Sequence, residues 1–135
     1  MKTETDLKQQ LLQEVGLLYI NEKEFLFRLQ KMASFSLGKV VDSYLYQIIE
    51  NHKLQCYRLE GILTALNEEL PSHSRKMNSS RTKLGTQLAD YQPVIALAEL
   101  TGSAEIVRLL KHASIKKRDF RTIPLELIGH ALAAA

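Results

Sequence analysis

Between Leu11 and Met32 the apolar residues fall at Leu11, Val15, Leu18, Phe25, Leu29 and Met32, in alternating steps of four and three with one place left out. That spacing lays a single stripe along a helix of about six turns, and such a stripe is buried by packing against other helices. The place left out, between Leu18 and Phe25, is Glu22. A carboxylate in an apolar seam is costly unless it is paired or ligated, so the fold must supply Glu22 with a partner.

The first helix is expected to start near Thr5 or Asp6, either of which can cap it, and to run to about Ala33. Ser34 to Gly38 reads as a short turn, with Ser36 as the expected cap of a second helix spanning about Leu37 to Leu66. The inward stripe of that helix is Val41, Leu45, Ile48 or Ile49, His52, Cys56, Leu59, Ile62 or Leu63, and Leu66. His52 and Cys56 thus lie one turn apart on the buried side, whereas Glu50 points to a flank with Tyr46, Lys53 and Tyr57. Two long helices joined by a few residues pack antiparallel.

Periodicity is lost from Asn67 to Arg81, where Pro71, four serines and scattered charges mark a linker. Extended, it is long enough to cross the bundle, but a short antiparallel hop is equally allowed. A third helix takes Leu84, Leu88, Tyr91, Ile95 and Ala98 as its face, and Pro93 either kinks it or follows a new start near Asp90. Thr101-Gly102 stops it. Ser103 is expected to cap a fourth helix, with Glu105 in its first turn and Ile106, Leu109, Leu110, Ala113, Lys117 and Phe120 in its core register. Pro124 ends or bends that helix, leaving Leu125 to Ala135 as a short apolar extension that could cap the bundle or pack on a partner subunit. The architecture expected is all-α, a four-helix bundle forming one domain over residues 1–135.

The lone Cys56 excludes an intramolecular disulfide and a cysteine zinc cluster. The charged N-terminus lacks the apolar core of a signal peptide, and no apolar run reaches bilayer length. A cytoplasmic protein without a membrane partner is therefore expected. The net charge of +3 comes mainly from Arg75–Lys83 and Lys111–Arg121, and does not call for nucleic acid as a partner.

Four groups recur on the inward side at mid-helix level: Glu22, His52, Cys56 and Lys117. A ferritin-like diiron centre takes a Glu from each of two helices and a Glu-x-x-His from each of the other two. This chain has no Glu-x-x-His; Glu50-Asn51-His52 holds the right residues at a spacing that diverges on a helix. Lys116 and Lys117 stand where a second set of ligands would be wanted. Glu22 can be satisfied by turning to the seam edge, by reaching solvent, or by pairing with Lys117. His52 reads as a hydrogen-bonded core histidine and Cys56 as a small buried hydrophobe. His73, His112 and His130 form no metal spacing. Lys116, Lys117, Arg118 and Arg121 form a basic run that reads either as a solvated helix face or as a patch for an anionic partner.

Three short motifs resemble one family. Leu18-Tyr19-Ile20-Asn21-Glu22-Lys23-Glu24-Phe25 is similar to the "D-L-Y-x-A-E-K-Q-L" opening of the YciE/YciF-like, ferritin-like proteins. Ile49-Glu50-Asn51-His52, followed by Tyr57-Arg58-Leu59-Glu60, resembles their acidic, His-containing stretch ending in "E-R-L-E". Tyr91, Leu97-Ala98-Glu99-Leu100-Thr101-Gly102 and Leu109-Leu110-Lys111 resemble "Y-G-x-L-x-x-L-A-x-x-L-G … L-L-x-x". The resemblance implies a ferritin-like bundle, usually dimeric, with a carboxylate-rich metal site and a suspected stress role. It places Glu22 and Glu50 on the family's first two ligand positions and His52 one position from the expected His. The family's third acidic helix is deleted between Asn67 and Lys83, and its late Glu cluster falls on Ile115, Lys116 and Lys117. Two expectations follow. The first is a non-enzymatic structural or protein-interaction module, a homodimer without a cofactor and with a degenerate metal site. The alternative is an iron- or manganese-binding oxidoreductase or iron-handling protein using Glu22, Glu50 and His52.

Overall fold

The computed structural model describes residues 3–70 and 90–119. All regular structure among them is helical: α1 (Glu4–Ala33), α2 (Lys39–Glu69), α3 (Tyr91–Thr101) and α4 (Ala104–Arg118). None of these helices is long and apolar enough to cross a membrane. The route between α2 and α3, together with His73, Leu84, Leu88, Phe120, Arg121, Pro124, His130 and the extension Leu125 to Ala135, lies outside the described residues.

α1 starts slightly earlier than its periodicity predicts. Thr3 is the cap, accepting at Oγ1 from the Asp6 amide (3.1 Å), while the Asp6 carboxylate accepts from the Thr3 amide (3.2 Å). This reciprocal box satisfies two first-turn donors, so Asp6 serves as the third helical residue rather than as the cap.

The start of α2 differs from expectation for a local reason. Ser36 is not its cap: it takes a left-handed φ of 53° and its hydroxyl turns to the Asp42 carboxylate (3.3 Å). Asp42 also accepts from the Leu37 amide (3.0 Å), closing the turn. The cap falls on Gly38, whose φ of 110° is open to glycine and strained for other residues, and the helix begins at Lys39. At its far end α2 continues through Asn67 and Glu68 to Glu69, so the first residues assigned to the linker are helical. Leu70 then closes the helix with its side chain in the core.

α3 begins anew after Asp90, whose side chain accepts from the Gln92 amide (3.0 Å). Pro93 is the third helical residue, where a helix has no use for an amide hydrogen, so it neither kinks nor breaks α3. Gly102, at φ 75° and ψ 7°, ends α3 in the left-handed conformation, and α4 follows after one residue. Ser103 occupies the cap position, but its hydroxyl donates to Glu69 at the end of α2 (3.0 Å) instead of capping.

α1 and α2 form a long antiparallel hairpin. Packing runs α1 to α2, α2 to α4, α4 to α3 and α3 to α1, which closes a ring with α1 opposite α4 and α2 opposite α3. Where all four helices meet, Leu11, Leu12, Val15 and Leu18 pack with Leu59, Ile62, Leu66, Tyr91, Val94, Ile95, Ile106 and Leu110. Toward the hairpin turn a second cluster, Leu29 with Val41, Leu45, Ile48 and Ile49, draws its buried members among the described residues from α1 and α2. Glu22 and His52 lie between the two.

Candidate functional site

The site is a layer of polar side chains across the middle of this bundle. Glu22 comes from the seam of α1 and is 3% exposed; His52 faces it from α2 at 4% exposure. His52 Nδ1 hydrogen-bonds Glu22 Oε1, and Lys117 Nζ, from the last turn of α4, donates to Glu22 Oε2. Each carboxylate oxygen therefore has its own nitrogen partner. Burial by itself would push the Glu22 carboxyl up, but the His52 hydrogen bond, then the charge and hydrogen bond of Lys117, outweigh it. The carboxyl is held below its ordinary value of 4.5. Lys117 reaches inward along its aliphatic stem and keeps about a third of its side chain (35%) exposed.

Phe25 is a correction to the apolar stripe. It is not in the core but 45% exposed, with its ring tilted against the His52 imidazole at a centroid distance of 4.8 Å. The Lys117 ammonium lies 6.0 Å from the same ring centroid. Phe25 thus covers the outer side of the ion pair, where a cation over an aromatic face gains a further modest attraction.

Gln55, fully buried one turn from His52, holds the other diagonal of the bundle. Its Nε2 donates to Tyr91 Oη (2.7 Å) in α3 and to the Ala113 carbonyl (2.9 Å) in α4. Its Oε1 accepts from Arg58 (2.8 Å). Burial raises the Tyr91 phenol, moderated by the Gln55 bond. At the edge of the layer Tyr19 donates to Glu60 (2.7 Å), a bond that with burial raises its phenol to about 12. Among the described residues no buried side-chain nitrogen or oxygen lacks a hydrogen-bond partner.

The remaining sequence candidates divide clearly. Cys56 is buried beside the layer, where burial and then the Glu22 charge raise its thiol to about 11. That is the opposite of an activated nucleophile. Glu50 sits on the flank and pairs with Lys53 on its own helix (3.4 Å), apart from Glu22 and His52. Lys116 and Arg118 lie on the exposed face of α4. Among the described residues no three His, Cys, Asp or Glu side chains converge as metal ligands. The carboxylate a metal would need also holds an ammonium at one oxygen, so the Glu22, Glu50 and His52 set does not fit a metal ion.

Neither Gln55 nor the Tyr19–Glu60 bond belongs to a motif that the sequence displays. The available signal was Gln55 within the inward arc bounded by His52, Cys56 and Leu59, a second polar residue in an apolar seam.

Comparison of the chain with family models, with curated proteins and with solved structures finds no match.

Proposed function

We propose that this protein is a ferritin-like bundle without a catalytic centre, acting as a structural or protein-interaction module and working as a homodimer. One observation carries this reading: both oxygens of Glu22 are engaged inside the chain, by His52 and by Lys117. Where the resemblance to YciE/YciF-like proteins would put a metal cation against this carboxylate, an ammonium group from α4 supplies the positive charge. The polar layer is thereby complete in itself, which suits a group that fixes helix positions.

Support for an interaction role comes from the outside of the hairpin, where Phe27, Phe35, Val40, Tyr46, Leu54 and Tyr57 are all more than half exposed. Aromatic side chains on a surface are the residues most often spent on protein contacts. The single thiol of Cys56 fits a reducing compartment such as the cytoplasm.

The test is metal analysis of protein purified without chelator, together with sedimentation velocity. Well under one equivalent of iron or manganese, on a dimer, is the expected result. Stoichiometric metal that disappears on Glu22→Ala would overturn the reading in favour of an iron- or manganese-handling protein. A monomer at all concentrations would remove the dimer.

A further inference from the structure

The outward face of α4 is more basic than its neighbours require. Arg108, Lys111, His112, Ile115 and Arg118 are exposed along the side opposite the buried Ile106, Leu110 and Ala113, with Lys116 exposed on one flank. The helix carries five Lys or Arg residues against the single Glu105. Two of the five are neutralised: Lys117 by Glu22, and Arg108 by Glu105, which its Nε reaches at 3.1 Å. Lys111, Lys116 and Arg118 have no acidic partner among the described residues. Attraction to the negative end of the helix favours cations in the last turn. It gives no reason for Ile115, a β-branched aliphatic side chain 49% exposed in the middle of this charge.

An apolar centre inside a charged rim is the anatomy of a protein-binding patch. We propose that this face docks an acidic amphipathic helix of a partner protein. One aliphatic side chain of that helix seats on Ile115, and its carboxylates meet Lys111 and Arg118, four residues before Ile115 and three after it on the same face. Lys111 and Arg118, seven residues apart, are separated by about 10 Å, two helical turns, which matches carboxylates repeated at the same spacing on a facing helix. Nucleic acid fits less well, because α4 has no Phe or Tyr to stack a base and no Asn or Gln to read one. This proposal rests on the interaction-module reading, but metal analysis tests that reading without reference to α4, so the two can fail separately.

The experiment is fluorescence anisotropy on the full chain with three labelled probes. The first is a synthetic Glu-rich helical peptide bearing a leucine stripe, the second the same peptide with each leucine changed to serine. The third is a single-stranded oligonucleotide of similar charge. Saturable binding of the leucine peptide, tighter than either control, is expected. Ile115→Ser should weaken it about tenfold through the lost apolar contact. The double substitution Lys111→Glu with Arg118→Glu should weaken it at least as much and flatten its salt dependence. All three residues are exposed, so thermal melting should stay close to the parent and separate lost binding from lost fold. No saturable binding of the leucine peptide, binding indifferent to these substitutions, or tighter binding of the oligonucleotide would each overturn the proposal.

Discussion

Lys117 Nζ lies against Glu22 Oε2, joining the last turn of α4 to the middle of α1 across 95 residues of sequence and one diagonal of the bundle. The pair is asymmetric. Glu22 is fully enclosed, whereas a third of the lysine side chain meets solvent, so loss of the lysine leaves a buried carboxylate with one partner instead of two. Lys117→Met is expected to cost about 1–3 kcal/mol, toward the lower end because of the lysine's exposure. The double change Glu22→Leu with Lys117→Met should cost less than the sum of the single changes. Urea denaturation of the four proteins measures the coupling, and additivity within a few tenths of a kcal/mol would deny the pairing.

Acid should reveal the same carboxylate. Because folding lowers the Glu22 pKa, its contribution is fully present above the unfolded value near 4.5 and is lost as pH falls through the lower folded value. Stability measured between about pH 6 and pH 3 should therefore fall more steeply in the parent than in Glu22→Gln. Parallel pH profiles for the two proteins would show that Glu22 is ordinary.

Gln55→Leu should be among the most damaging single changes in the chain. It keeps the side chain's bulk but strands the Tyr91 hydroxyl and the Ala113 carbonyl, at about 1–3 kcal/mol for each buried group left without a partner. Gln55→Leu combined with Tyr91→Phe should recover part of the loss. Chemical denaturation checks both, and a Gln55→Leu protein as stable as the parent would mean the layer contributes nothing.

Cys56 should be nearly inert in the folded protein. A thiol raised to about 11 is almost wholly protonated at pH 8, so a thiol-specific disulfide reagent should react about a hundredfold more slowly with native than with guanidinium-unfolded protein. Equal rates in the two states would contradict its burial.

The helices were legible because their signals are local. The four-and-three spacing of Leu11, Val15 and Leu18, and the Asp90 and Gly102 boundaries of α3, need no knowledge of distant residues. Lys117 was also legible, since the register set by Ile106, Leu110 and Ala113 carries it to the inward side. Other features depended on what stands opposite. Phe25 has the right period for the core, but the helix beside it presents His52, and the ring covers that group from outside. Ser36 and Ser103 are good caps in isolation, yet each hydroxyl is drawn to a carboxylate that only the folded chain brings near, Asp42 and Glu69. The role of Gln55 is hidden in the sequence for the same reason: its donors serve two helices that follow it in the chain.

The two diagonals meet at one level of the bundle, and this gives the assembly a single depth. Leucine and isoleucine stripes accept one another at successive turns, so an apolar seam alone tolerates sliding. If α4 moved by one turn, about 5.4 Å, the methyl group of Ala113 would face Glu22 in place of the Lys117 ammonium. The misaligned chain would meet its penalty in unpaired polar atoms, and Glu22 is the vernier against which the second pair of helices is set.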